Sequence, residues 1–154
     1  MAAAVLNLQE NVRVPRRRIR RLAASALRAL GRAGAEVHVT FVTDARIGRL
    51  NRQYRGASRA TDVLAFTLEG PGPGRLLGEV IVSAETACRQ ARRLGVPVGL
   101  ELGLLVVHGL LHLVGYDDRY PLEARLMHER ERGILREAFG SVPEHLWTGL
   151  LTAA

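Results

Sequence analysis

A chain of 154 residues, 47% hydrophobic and 24% charged, has an ordinary globular balance and material for one domain with its own core. Its net charge is +7 and all 22 basic residues are arginine, an excess that favours an anionic partner, nucleic acid before membrane surface, although genomic base composition alone can favour arginine. Cys88 is the sole cysteine, which excludes an internal disulfide and a multi-cysteine zinc site and fits a cytoplasmic protein.

The start, "MAAAVLNLQENV", lacks a basic leader, and its apolar run is too short for a signal peptide. Within it "AAVLNLQ" alternates weakly, as an edge strand does. "PRRRIRRLAASALRALGRAG" places Ile19, Leu22, Ala26 and Leu30 on one helical face, with Pro15 opening the helix and Gly31 or Gly34 closing it. "EVHVTFV" alternates cleanly and reads as a strand. Asp44 then caps a short helix bearing Ile47, Leu50 and Tyr54, which Gly56 ends. "TDVLAFTL" and "LLGEVIVS" are strands, and the turn-rich "EGPGPGR" between them permits an antiparallel hairpin.

Ser83 caps "AETACRQARRL", which stops at Gly95 and Pro97. The stretch from Val96 to Val114 is long and apolar, but it holds Pro97, Glu101 and two histidines, so it reads as a buried helix and not a membrane span. Gly115 ends it, "PLEARLMHERERGILREAF" is a long charged helix, and "SVPEHLWTGLL" is ambiguous. The expected fold is a single α+β domain over residues 1–154, a small mixed sheet of three to four strands packed with about five helices.

Chemistry concentrates in "HGLLHLVGYDD". Residues four apart share a helical face, so His108 and His112 can offer two ring nitrogens to one ion, as on the histidine helix of a zincin. The reversal at Gly115 can swing Asp118 back toward them, giving H-x3-H-x5-D. Two imidazoles and a carboxylate leave a fourth tetrahedral position open, the mark of a catalytic more than a structural zinc site. The competing readings are two hydrogen-bonded core histidines and an Asp118 that caps the helix after Pro121.

"ELGLLVVHGLLHLVGYDD" resembles the signature H-G-x-L-H-L-x-G-Y-D-H of the bacterial YbeY family of rRNA maturation endoribonucleases, with Asp118 where the family has its last histidine. "LNRQYRGASRATDVLAF" is similar to the family's N-x-x-Y-R-x(5)-T-D-V-L-S-F block, and "LGEVIVSAETACRQA" to its L-G-D-I-x-I strand and following helix. The resemblance runs from about Asp44 to Met127. It implies a zinc-binding α+β fold with one ion per chain and a single-strand-specific endoribonuclease activity. It further implies roles in maturing the 3′ end of small-subunit rRNA and in ribosome quality control. The implied partners are single-stranded RNA, rRNA and the small ribosomal subunit, in the cytoplasm, with neither membrane nor DNA. It maps the metal ligands to His108, His112 and, by substitution, Asp118, and a functional arginine to Arg55.

Gly109 stands where an H-E-x-x-H protease carries its general base, so this helix supplies none. Metal-assisted phosphodiester cleavage is then the simplest chemistry, with Arg55 holding the phosphate and either water or the RNA 2′-hydroxyl attacking. Arg55 read without the resemblance is an arginine favourably placed near a helix end. Arg59 is a second RNA-contact candidate, and Arg75 a third, against the reading of each as solvated loop. "RRRIRR", Arg16 to Arg21, is either an RNA-backbone contact or a wet helix face. Glu101, roughly 10 Å before His108 along the helix, reads as a supporting or packing residue. Asp62 is placed to pair with an arginine, and Tyr116 to orient a ligand or pack over the site, whereas His38, His128, His145 and Cys88 carry no metal role. Two rival classes share these motifs: a protease-type zinc hydrolase, and a non-catalytic ribosome-binding factor with structural zinc.

Overall fold

The computed structural model of the chain describes residues 3–56, 61–68 and 76–150. The expected strand segments become β1 (Ala3–Asn7), β2 (Glu36–Val42), β3 (Val63–Thr67) and β4 (Leu76–Ser83). The helices are α1 (Arg16–Ala29), α2 (Asp44–Arg55), α3 (Ala84–Leu94), α4 (Val98–Leu113) and α5 (Pro121–Phe139), and the ambiguous tail forms a 3-10 helix over Glu144–Gly149. The expected α+β fold with a mixed four-stranded sheet and five helices is therefore present among the described residues.

The strand order is β1-β2-β4-β3. The hairpin partners β3 and β4 run antiparallel, with Val63 opposite Val82 and Thr67 opposite Gly78. β1, β2 and β4 are mutually parallel, which requires helical crossovers between them. Helices α2 and α3 consequently both begin at the carboxyl ends of parallel strands. Their caps differ from expectation in one respect. Ser83 caps α3 by accepting the Thr86 N–H, but α2 is capped by Thr43, whose hydroxyl accepts the Arg46 N–H at 3.2 Å. Asp44 sits one residue inside, where its carboxylate accepts the Ser83 and Thr86 hydroxyls at 2.5 Å each and pairs with Arg89 at 2.8 Å. It ties the two helix starts together, a role that only the folded arrangement creates. α1 closes at Gly31, not Gly34.

α4 runs through the middle of the molecule, against β3 and β4 on one side and α1, α3 and α5 around the rest. Every residue from Leu100 to Leu111 is buried, as a helix apolar all round must be. Each leucine so buried contributes about 1.5–3 kcal/mol. The approach to the sheet is close: a Cβ added at Gly109 would stand 2.5 Å from a methyl of fully buried Val80. The helix can lie at this depth only because position 109 has no side chain. No helix among the described residues is long and apolar enough to cross a membrane.

Candidate metal centre

His108 and His112 project from the last turns of α4, His108 buried and His112 half-buried. The helix then ends in a tight reversal, in which the Tyr116 N–H donates to Leu111 O at 3.0 Å and the Gly115 N–H to His112 O at 3.1 Å. Gly115 carries φ +102°, a value that favours glycine. The turn brings Asp118 back over the histidines. His108 Nε2 and His112 Nε2 are 3.2 Å apart, and Asp118 Oδ2 stands 3.5 Å from the first and 3.8 Å from the second.

The outer nitrogens are anchored. His108 Nδ1–H donates to Glu131 Oε2 at 2.6 Å, and His112 Nδ1–H to the Tyr116 carbonyl at 3.1 Å. Glu131, itself buried on α5, is held by Trp147, whose indole N–H donates to Oε1 at 2.9 Å. Both imidazoles are thus fixed with Nε2 facing inward, the arrangement in which a metal-ligating histidine gives its other N–H to a carboxylate or carbonyl. Ligands held at about 2.0–2.1 Å around a tetrahedral ion stand about 3.3 Å from one another, close to the three separations observed. His108, His112 and Asp118 therefore form a group that could hold a metal ion, and the donor set fits a divalent cation with nitrogen and oxygen ligands.

The electrostatics of the metal-free site agree. Burial pushes the His108 imidazole down, but the carboxylates of Asp118 and Glu131 overcome it and hold its pKa up at about 9. His112 is lowered, by burial first and by the neighbouring His108 second. The hydrogen bond to His108 lowers Asp118 against its own burial. The cluster is thus a pair of carboxylates concentrated around one cation's worth of positive charge. Asp118 is not spent on capping, since the N-cap of α5 is Tyr120 and has no side-chain acceptor.

Other predicted residues are not among the three that could share an ion. Arg55 ends α2, is exposed, and donates from Nη2 to the Ala65 carbonyl of β3 at 2.8 Å with its guanidinium 5.7 Å from the Phe66 ring. Arg59 and Arg75 lie outside the described residues. Glu101 is fully buried with neither carboxylate oxygen hydrogen-bonded; burial, with buried Asp62 adding, pushes its pKa up to about 8 against the pull of Arg93. Tyr116 contributes its backbone, not its ring, to His112. Asp117 pairs with Arg119 at 2.8 Å. His38 is exposed on β2. His128 stacks on Trp147 with ring centroids 4.3 Å apart, and His145 bonds the Leu94 carbonyl.

Glu131 and Trp147 are absent from the sequence reading. One signal for Glu131 was available: it occupies the buried stripe Met127, Glu131, Ile134 and Leu135 of α5, where an unpaired acid is costly. Its partner on another helix has no such mark.

Comparison with known proteins bears on the same residues. The family model described as Endoribonuclease YbeY matches residues 4–138. A protein named Endoribonuclease YbeY from Anaeromyxobacter dehalogenans (strain 2CP-C) is 50% identical over 121 residues, covering 78% of this chain and 63% of that relative. This chain therefore spans less than two thirds of that relative's length. One of the same name from Moorella thermoacetica is 44% identical over 128 residues, covering 76% of this chain and 82% of its own. The solution structure of TM1509 from Thermotoga maritima is similar with a TM-score of 0.63 and 28% identity, over 90% of this chain and 89% of that one.

Proposed function

The chain belongs to the YbeY endoribonuclease family, and from that premise we propose that it is a metal-dependent endoribonuclease that cuts single-stranded RNA. Its place is in rRNA maturation, at the 3′ end of small-subunit rRNA, and in ribosome quality control, in the cytoplasm. The observation that carries the reading is the inward pair of Nε2 atoms, 3.2 Å apart and faced by Asp118, with both outer nitrogens anchored. We assign one zinc ion per chain to His108, His112 and Asp118, because mixed nitrogen and oxygen ligands at tetrahedral spacing suit it. Zinc bound there supplies a Lewis acid for a phosphoryl oxygen and lowers the pKa of an attacking water.

The chain's own residues do the rest. Glu131 keeps His108 in one tautomer and makes its Nε2 a better donor, and Trp147 keeps Glu131 in place. Arg55, exposed at the end of α2, offers a planar fork of N–H donors to the phosphate and to the charge that builds on it. Gly109 contributes no base, and Val80 leaves no room for one, which disfavours a protease-type mechanism on this helix. With no protein base on α4, either water or the RNA 2′-hydroxyl can serve as nucleophile. Arg59 we also assign to RNA contact.

The test pairs metal analysis with cleavage of a defined single-stranded RNA. Wild type should carry about one zinc per chain and cleave, whereas His108→Ala/His112→Ala should carry none and not cleave. Full zinc occupancy in the double variant would sink the site. Zinc-loaded wild type without RNA turnover would leave the ribosome-binding factor as the better reading.

A further inference from the structure

The motif "RRRIRR" is not used by the metal centre. Its helix, α1, carries six arginines and no acid in fourteen residues. Five of them, Arg16, Arg17, Arg18, Arg21 and Arg28, line a groove of about 900 Å³ between α1 and the end of α5, facing the single carboxylate of Glu137. All five are exposed, and none forms an ion pair with a described residue. Arg18 lies flat against Phe139 in the lining, its guanidinium 4.2 Å from the ring centroid.

This arrangement does not serve the helix. Arg16, Arg17 and Arg18 occupy the first turn, where the macrodipole is positive and an acid is favoured. Arg17 and Arg21 repel at i, i+4. The N-terminus has Pro15 as its cap residue and no capping side chain, and its Arg16 N–H donates to the Val14 carbonyl at 2.9 Å. A groove that gathers guanidinium forks without ion-pair partners, at a cost to its own helix, is complementary to phosphate.

We propose that the α1–α5 groove is a second RNA-binding surface, taking the sugar–phosphate backbone of the RNA away from the point of cleavage. The inference rests on the RNA-cleaving reading for its partner. Phe139 and Glu131 are eight residues apart on α5, about 12 Å along the axis, so the groove lies beyond the metal ligands. A membrane fits less well. The large apolar residues of α1, Ile19, Leu22 and Leu27, are all spent in the core, leaving no large apolar side chain of the helix to enter a bilayer.

The experiment measures binding of a fluorescent single-stranded oligoribonucleotide by anisotropy over a range of salt, with RNA integrity checked on a gel. Arg17→Gln/Arg21→Gln should weaken binding about ten-fold at low salt. It should also reduce the slope of log K against log salt by about 1.4, two contacts' worth for a single strand. Arg92→Gln/Arg93→Gln, which removes the same charge from exposed positions at the end of α3, should change binding less than two-fold. Because the altered arginines are exposed and mutually repelling, the urea midpoint of the first variant should equal or exceed that of wild type, which separates lost binding from lost fold. Unchanged RNA binding, or equal losses in the two variants, overturns the proposal. So does RNA binding that persists while attachment to phosphatidylserine-containing vesicles is lost. The readout is independent of cleavage: an inactive protein whose binding depends on Arg17 and Arg21 defeats the nuclease reading alone. Cleavage with groove-indifferent binding defeats this one alone.

Discussion

Glu131 touches the candidate centre at His108 alone among the three residues, and this makes its contribution separable. Glu131→Gln keeps an acceptor for the Nδ1–H but removes the charge that strengthens the imidazole as a donor. Metal affinity should fall about ten-fold, as measured by competition with a chromophoric chelator, and Glu131→Ala should fall further, toward a hundred-fold. Asp118 admits a similar dissection. Asp118→Asn should weaken metal binding while leaving the metal-free fold nearly as stable, since Asp118 caps no helix; Asp118→His should keep the ion. Undiminished affinity in Asp118→Ala would show that the third ligand lies elsewhere. Arg55→Ala should slow RNA cleavage well beyond any effect on the urea midpoint, because an exposed arginine with one carbonyl partner contributes little to stability.

At the scale of elements, two helical glycines make opposite predictions. Gly109 of α4 faces Val80 with no free space, so Gly109→Ala overpacks the helix–sheet contact and should cost about 1–3 kcal/mol by urea denaturation. Gly133 of α5 has nothing within 4 Å of an added Cβ, so Gly133→Ala should gain about 0.5–1 kcal/mol through helix propensity alone. The sequence could not distinguish them, because depth against a sheet is a tertiary property. The same limit explains what else was and was not legible. Alternation in "EVHVTFV" marks a strand, the apolar run of "LLGEVIVS" marks another, and the turn-rich segment between β3 and β4 marks a hairpin. Nothing local marks the parallel pairing of β2 with β4. The His108–His112–Asp118 cluster was legible because eleven consecutive residues hold it. Glu131 and Trp147 reach it from α5 and the 3-10 helix, so their role appears only once those elements pack. The cap of α2 was assigned to Asp44 and belongs to Thr43, because adjacent residues at a helix start have equal claim until the partners of each are known.

For the whole molecule, the buried acid on α4 sets a pH dependence. The pKa of Glu101 rises from an ordinary 4.5 to about 8 on folding, chiefly through burial. The native state therefore holds a proton there that the unfolded chain releases. Its contribution to stability is fully present below about 4.5, declines as pH rises, and is lost above about 8. Glu101→Gln should flatten that decline, so that wild type loses urea resistance between pH 5 and pH 8 in metal-free protein by a margin the variant does not show. Equal slopes for the two proteins would place the pH dependence in another group. The burial of α4 on every side has a further consequence, in time. The stretch Leu100 to Leu111 has no wet face from which to fray, and its amides should exchange with deuterium only when the entire protein opens. His108 is therefore mounted in its slowest-opening segment, with His112 one residue past the end of that segment. Any movement that admits a substrate must come from the chain around α4, while the His108 ring stays still.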